Sequence, residues 1–195
     1  MTIVIVSPAS RRDLTTLAAI KRELGLAETG EDLFLADLIA QASSAIETGC
    51  RRRLARESVV ETLEGRGRAL LMLSLTPVIA VSSVRIAEVE LAASEWKLIS
   101  PEAGLLHRRD GWEKCPIEVA YEGGFGLPDD PDRTLPAVLE RACIETVKAW
   151  YAGRDRDPSL SGESAGGYHA SYTAMKGLPD AARDLLSPWR RPSFA

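Results

Sequence analysis

The sequence predicts an α+β fold, a small α-helical bundle with a long central helix and an inserted antiparallel β-lobe. Three observations predict it. Apolar residues recur at helical spacing towards both ends of the chain. They alternate with polar residues between Glu57 and Tyr121, and the strongest helical stripe, Thr134 to Tyr151, follows that region. Residues 1–56 and 127–195 are therefore read as one helical domain with a C-terminal tail, and residues 57–126 as the inserted β-lobe.

Taken in order, the short apolar run Ile3–Val6 reads as an edge strand or an extended arm. In TTLAAIKREL, Thr15 or Thr16 caps a helix whose face holds Leu17, Ile20 and Leu24, and Gly25 ends it. A second helix is expected from about Glu31 to Thr48. Leu35, Leu38, Ile39, Ala42, Ala45 and Ile46 form its stripe, the alanines permit close approach, and Gly49 closes it. Arg51, Arg52, Arg53 and Arg56 follow. They read either as a solvated basic cluster at the negative end of the helix dipole or as a contact to phosphate or an acidic partner.

Six strands are expected in the middle of the chain: Val59–Leu63, Ala69–Leu73, Val78–Ile86, Trp96–Ile99, Gly104–His107 and Ile117–Tyr121. In the last, Ile117, Val119 and Tyr121 alternate with Glu118, Ala120 and Glu122, which gives one wet face. Thr76-Pro77 and Arg109-Asp110-Gly111 supply turns. Gly123 to Gly126 reads as a plain reversal, since the Lys-Ser/Thr of a phosphate-binding loop is missing.

The long helix is expected over Thr134 to Tyr151, with Thr134 as cap and Pro136 in the first turn. Leu135, Val138, Leu139, Ala142, Cys143, Val147, Ala149 and Trp150 share its core face. Ile144 and Tyr151 lie on the far side among Glu140, Arg141 and Lys148, either as surface decoration or as a contact to a neighbouring subunit. Asp155 to Gly177 is rich in Gly, Ser and Asp and reads as a mobile loop or linker. Pro179–Leu186 forms a last short helix. The tail SPWRRPSFA then carries Trp189, Arg190, Arg191 and Phe194, residue types that interface hot spots favour; packing back on its own domain is the alternative.

Composition narrows the function. With 195 residues, 45% hydrophobic and 27% charged, the chain suits one sizeable core, or a core with a small lobe. A net charge of −4 argues against a protein whose main work is gripping nucleic acid, although a local basic patch is compatible with it. Cys50, Cys115 and Cys143 are far apart and form neither a disulfide framework nor a zinc motif, which fits synthesis in a reducing cytoplasm. No signal peptide, membrane span, metal site or cofactor is expected.

Gly162-Glu163-Ser164-Ala165-Gly166 matches G-x-S-x-G, but neither flank is a core strand or an apolar helix, as a nucleophile elbow requires. His169 is the sole histidine downstream. Asp129, Asp130 and Asp132 lack the spacing of a calcium loop and suit the acidic approach to a helix start. No catalytic set emerges, and the chain is read as structural.

The order of segments is more specific than any one motif. TTLAAIKREL, then DLFLADLIAQASSAIETGCRRRL, the mid-chain LTPVIAVSSVRI, the stretch IEVAYEGGFG before LPAVLERACIETVKAWYAGRD, and the closing LPDAARDLLSPWR occur in that order. Together they resemble the head–tail connector (adaptor) family of tailed phages, including the adaptors of phage-derived gene transfer agents. The resemblance runs from about Thr15 to Arg190, and 19 Arg against 5 Lys suits a GC-rich bacterial host. It implies a ring of about a dozen copies beneath a portal protein, extending a DNA channel and docking a neck or stopper protein. Assembly would take place in the bacterial cytoplasm and end in the neck of the particle. It also implies a portal contact through Trp189, Arg190, Arg191 and Phe194, neighbour contacts at Ile144 and Tyr151, and Arg51, Arg52, Arg53 and Arg56 facing DNA or an acidic partner. DNA would pass without sequence-specific binding. The alternatives are a small DNA-binding module and a serine hydrolase using Ser164.

Overall fold

The structure, a computed structural model, describes residues 2–154, 162–165, 168–171 and 177–191. Its strands are β1 (Thr2–Ser7), β2 (Glu57–Glu64), β3 (Leu70–Met72), β4 (Val78–Ile86), β5 (Val89–Glu90), β6 (Trp96–Ser100), β7 (Leu105–Arg108), β8 (Pro116–Gly123), β9 (Gly162–Ala165) and β10 (Tyr168–Ser171). Its helices are α1 (Leu17–Leu24), α2 (Asp32–Cys50), α3 (Ala137–Ala152) and α4 (Asp180–Leu186). The α+β class is as expected. The chain divides into two compact units, residues 1–12 with 52–134, and residues 13–51 with 135–195.

The first unit is antiparallel throughout its named sheets. A five-stranded sheet runs in the order β1-β2-β8-β4-β5, and a three-stranded one in the order β3-β7-β6. Strand β8 lies at the centre of the larger sheet. Its Ile117, Val119 and Tyr121 are buried, whereas Pro116 and Glu118 are exposed, so the predicted one-sided pattern holds. These side chains join Val59, Leu63, Leu71, Leu73, Val84, Leu106 and Trp112 in one apolar cluster. Ile3–Val6 belongs to an edge strand, with Ile3 and Ile5 against the cluster and Val4 exposed.

Two carboxylates are buried in this unit. Glu61 on β2 accepts hydrogen bonds from the backbone N–H of Ser74 at 2.9 Å, from the Ser74 hydroxyl and from the Tyr121 hydroxyl at 2.6 Å. Leu75 N–H in turn donates to the Tyr121 oxygen at 2.9 Å. Burial, and then the neighbouring Glu61 carboxylate, push the Tyr121 phenol far above its ordinary value, so it stays a donor. Glu57 is held by Arg12 and, at 3.3 Å, by Arg53.

The second unit packs α3 against α1, α2 and α4. Thr16 caps α1 by accepting from Ala19 N–H at 3.1 Å, and Gly25 ends it with φ 70°, as expected. Three details differ. Helix α2 runs through Gly49, and Arg51 takes the left-handed cap at φ 54°. Helix α3 starts after Pro136, while the Thr134 hydroxyl accepts from Gly126 N–H at 2.8 Å instead of capping the helix. Part of the predicted 155–177 loop is an antiparallel strand pair, β9 with β10; the rest lies outside the described residues.

Leu139, Ala142, Cys143 and Val147 form the buried stripe of α3, but Val138 is 41% exposed. The start of α3 projects less of its face inward than an ideal stripe assumes. Ser43 lies 3.6 Å from the Cys143 sulfur, and its oxygen accepts from Leu14 N–H at 3.0 Å. Desolvation pushes the Cys143 thiol up to about 12 from 9.0.

Two expectations follow. Tyr121→Phe removes one of three donors from the Glu61 carboxylate and the acceptor of the Leu75 N–H, and urea unfolding should show a loss of about 1–3 kcal/mol. The Cys143 thiol stays neutral when folded but ionises when unfolded. Its stabilising contribution is therefore full below pH 9.0 and is lost as the pH rises towards about 12. Urea midpoints measured across that window should fall, and fall less in Cys143→Ala.

Candidate functional site

The C-terminal segment is built on α4, which buries Ala182 and Leu186 and ends in a 3-10 turn, Ser187–Trp189, with Pro188 inside it. Arg190 then extends the chain, and Arg191 N–H donates to the Cys50 carbonyl at 3.0 Å. This bond returns the segment to the last residue of α2. Gly49, one residue earlier, allows the approach: a Cβ there would meet Leu178 Cδ1 at 3.0 Å. The segment and α2 border a cleft of about 490 Å³ whose lining includes Ala45, Gly49, Leu178, Leu186 and Arg190. Arg190 is exposed at its rim, Trp189 and Arg191 are half-buried, and Phe194 lies outside the described residues. Up to Arg191 the predicted tail thus docks on its own helical unit, and its last residues lie outside the described ones.

The far side of α3 is different from a free apolar stripe. Arg141 and Lys148 reach Glu23 of α1 at 3.1 and 3.6 Å, so α1 lies across the face that also carries Ile144. Ile144 is buried, and the outward pair expected with Tyr151 is not formed. Tyr151 is half-buried in a cluster that the sequence reading missed. Its hydroxyl donates to Glu31, and the Arg154 guanidinium sits 3.9 Å over its ring and 3.5 Å from Glu31. The Phe34 ring centroid lies 6.4 Å away. The hydrogen bond to the Glu31 carboxylate raises the phenol pKa. Beside it, Leu33 is 86% exposed on α2. The signal was present in the sequence as Glu31, Phe34 and Arg154, but two segments far apart in the chain, residues 31–34 and 151–154, supply the cluster.

The four arginines after α2 do not act alike. Arg51 is exposed as the left-handed cap. Arg52 donates to the Thr76 carbonyl at 2.6 Å and its hydroxyl at 3.0 Å, and its guanidinium carbon lies 5.9 Å from the Phe125 ring centroid. Arg53 serves buried Glu57. Arg56 is half-buried and lines a cleft of about 360 Å³ with Arg11, Asp130 and Asp132. Arg52 and Arg53 are therefore structural ties of the first unit as well as surface cations.

Ser164 lies within β9, opposite His169 of β10 in the register of a strand pair. This backbone is not the strand-to-helix turn that lifts a nucleophilic serine. Among the described residues, no group of three His, Cys, Asp or Glu side chains is placed to hold a metal ion, and no helix is long and apolar enough to cross a membrane. Among the described residues, the helical unit carries a docked C-terminal segment beside a cleft and an aromatic–arginine cluster.

Gly49→Leu tests the close approach that seats the C-terminal segment. The added side chain must displace Leu178, and thermal unfolding should report a loss of about 1–3 kcal/mol.

Comparison with solved structures finds this fold over the whole chain. A chain in the neck of the empty gene transfer agent (GTA) particle, computed with C6 symmetry, is 20% identical; the match covers 100% of this chain and 98% of that one, with a TM-score of 0.66. A chain in the neck of the native GTA particle, computed with C12 symmetry, is 18% identical, with 100% and 98% covered and a TM-score of 0.63. A chain of the native GTA virion is 19% identical, again with 100% and 98% covered and a TM-score of 0.63. No curated protein matches the sequence. The sequence does match the head completion protein family, HCP, over residues 13–192, which span both units from before α1 to beyond Arg191, and the chain belongs to that family.

Proposed function

We propose that this head–tail structural protein is the connector, or adaptor, subunit of a phage-like particle. A ring of about twelve copies would sit beneath the portal protein, extend the DNA channel and dock the neck or stopper protein. The observation that carries the reading is the coincidence of two findings: the family match spans residues 13–192, and the fold matches neck chains end to end. The C6 and C12 symmetries of those neck particles support a ring. In this reading the chain assembles in the bacterial cytoplasm and remains in the neck, with neither a cofactor nor a catalytic step.

Trp189, Arg190, Arg191 and Phe194 carry the portal contact. The ordered path to Arg191 supports this, because a segment held against α2 presents its rim residues at a low entropic cost. Tyr151, in its cluster with Phe34 and Arg154, contacts a neighbouring subunit. Ile144 supports that contact from beneath α3's surface. Arg51 is the most available of the four arginines for an acidic partner, with Arg52, Arg53 and Arg56 behind it.

Co-sedimentation with purified cognate portal rings tests the reading. Full-length protein should pellet with the portal. A chain ending at Arg191 should bind more weakly, and one ending at Ser187 should not bind. Equal binding by all three would move the portal contact to another surface, and a full-length chain that ignores the portal would end the connector reading.

A further inference from the structure

The first unit carries a basic surface that neither the sequence reading nor the family match assigns. It is made by two segments far apart in sequence, residues 64–68 from the end of β2 and residues 109–115 before β8. Backbone hydrogen bonds zip them together: Gly67 N–H to the Trp112 carbonyl at 2.7 Å, Trp112 N–H to the Arg68 carbonyl at 2.9 Å, and Gly65 N–H to the Cys115 carbonyl at 3.0 Å. The Trp112 indole is buried and donates to the Ala69 carbonyl at 3.0 Å. At Gly65, a Cβ would lie 1.7 Å from the Glu113 carbonyl oxygen, so only glycine permits this contact.

This scaffold displays Arg66, Arg68, Arg109 and Lys114, all exposed. The Lys114 side chain comes close to Gly67, the residue between Arg66 and Arg68 in the chain: a Cβ at Gly67 would meet Lys114 Cε at 3.6 Å. Arg108 is different, since it is tied to Gly111 O at 3.1 Å, Glu113 at 3.5 Å and Glu95 at 3.8 Å. The acidic groups of the two loops are Glu64, Asp110 and Glu113, and Glu113 is engaged by Arg108. Among the described residues, no carboxylate lies in ion-pair range of Arg66, Arg68, Arg109 or Lys114. In a chain with a net charge of −4, four exposed cations on two hydrogen-bonded loops make a local basic surface.

We infer that this platform is a contact for the phosphate backbone of DNA, and that it acts without reading sequence. Flexible arginine and lysine side chains on glycine-bearing loops, with no exposed aromatic ring among them, supply point charges and no base-stacking surface. The acidic remainder of the chain keeps the contact weak and salt-sensitive, as a moving polyanion requires. The inference rests on the connector reading for its source of DNA. Its chemistry is independent of the portal contact, which the C-terminal segment carries.

Fluorescence anisotropy with the full chain and a labelled duplex of about 30 base pairs, at about 50 mM salt, tests it. Wild type should bind, with a slope of log K against log salt near about −3, as for three to four phosphates. The variant R66Q/R68Q/R109Q/K114Q should lose about tenfold or more in affinity, R66K/R68K/R109K should retain it, and R51Q should remain within about twofold. Circular dichroism of each variant reports the fold. No binding by wild type, or undiminished binding by the glutamine variant, overturns the inference. So does a glutamine variant that keeps its DNA affinity but loses an acidic neck protein. Portal co-sedimentation of the same proteins separates the two readings: portal binding without DNA binding removes this inference alone, whereas DNA binding through the platform without portal binding removes the connector reading.

Discussion

Glu61 is the group on which the first unit depends. A carboxylate with no exposed surface is costly to bury, and it is tolerated only when its lone pairs are met by well-placed donors. The donors come from different places: Ser74 from the segment after β3, and Tyr121 from the central strand β8. Tyr121 also receives Leu75 N–H, so one phenol links two strands and a connecting segment. A register slip of one residue in β2 against β8 would turn Glu61 and Val59 to the wrong face together. The polar network and the apolar cluster therefore specify the same register.

The helical unit meets the same requirement with smaller groups. Ser43 serves Leu14 N–H and lies beside the Cys143 sulfur, and Thr146 donates back to the Ala142 carbonyl at 2.8 Å within α3. Ionic groups are kept on the rim, where Arg141 and Lys148 share Glu23 and Glu145. Such exposed pairs contribute modestly to stability. Their structural consequence is to align α1 over the side of α3 that would otherwise leave Ile144 in water. The C-terminal segment completes the unit through a backbone bond, with Trp189 half-buried and the Arg190 side chain exposed at the rim.

The chain belongs to the head completion protein family. Its buried phenol and thiol are both held protonated by burial, and its buried carboxylates are consumed by internal donors. What remains outward is recognition chemistry: arginines, exposed apolar side chains on α2, and a platform of cations. The proposed ring would need several such surfaces, because cyclic assembly presents two different faces to neighbouring copies.

Sequence by itself determined most element types, though not the β9–β10 pair inside the segment read as a loop. The strand β4 was legible residue for residue, β8 by its alternation, α1 by its cap and Gly25, and α4 by its short apolar stripe, because each depends on local periodicity or capping. The family was legible from the order of segments. Tertiary structure decided the rest. Strand β5 was missed because its hairpin turns through Ala87 and Glu88, both with positive φ and neither a usual turn residue, so pairing with β4 must hold them there. Gly49 looked like a helix stop, yet it serves a close approach by Leu178, a contact that no spacing along the chain reveals. Ile144 is buried, and Arg52 and Arg53 are tied inward, for the same reason. A side chain's partner comes from another segment, and only folding brings that segment near.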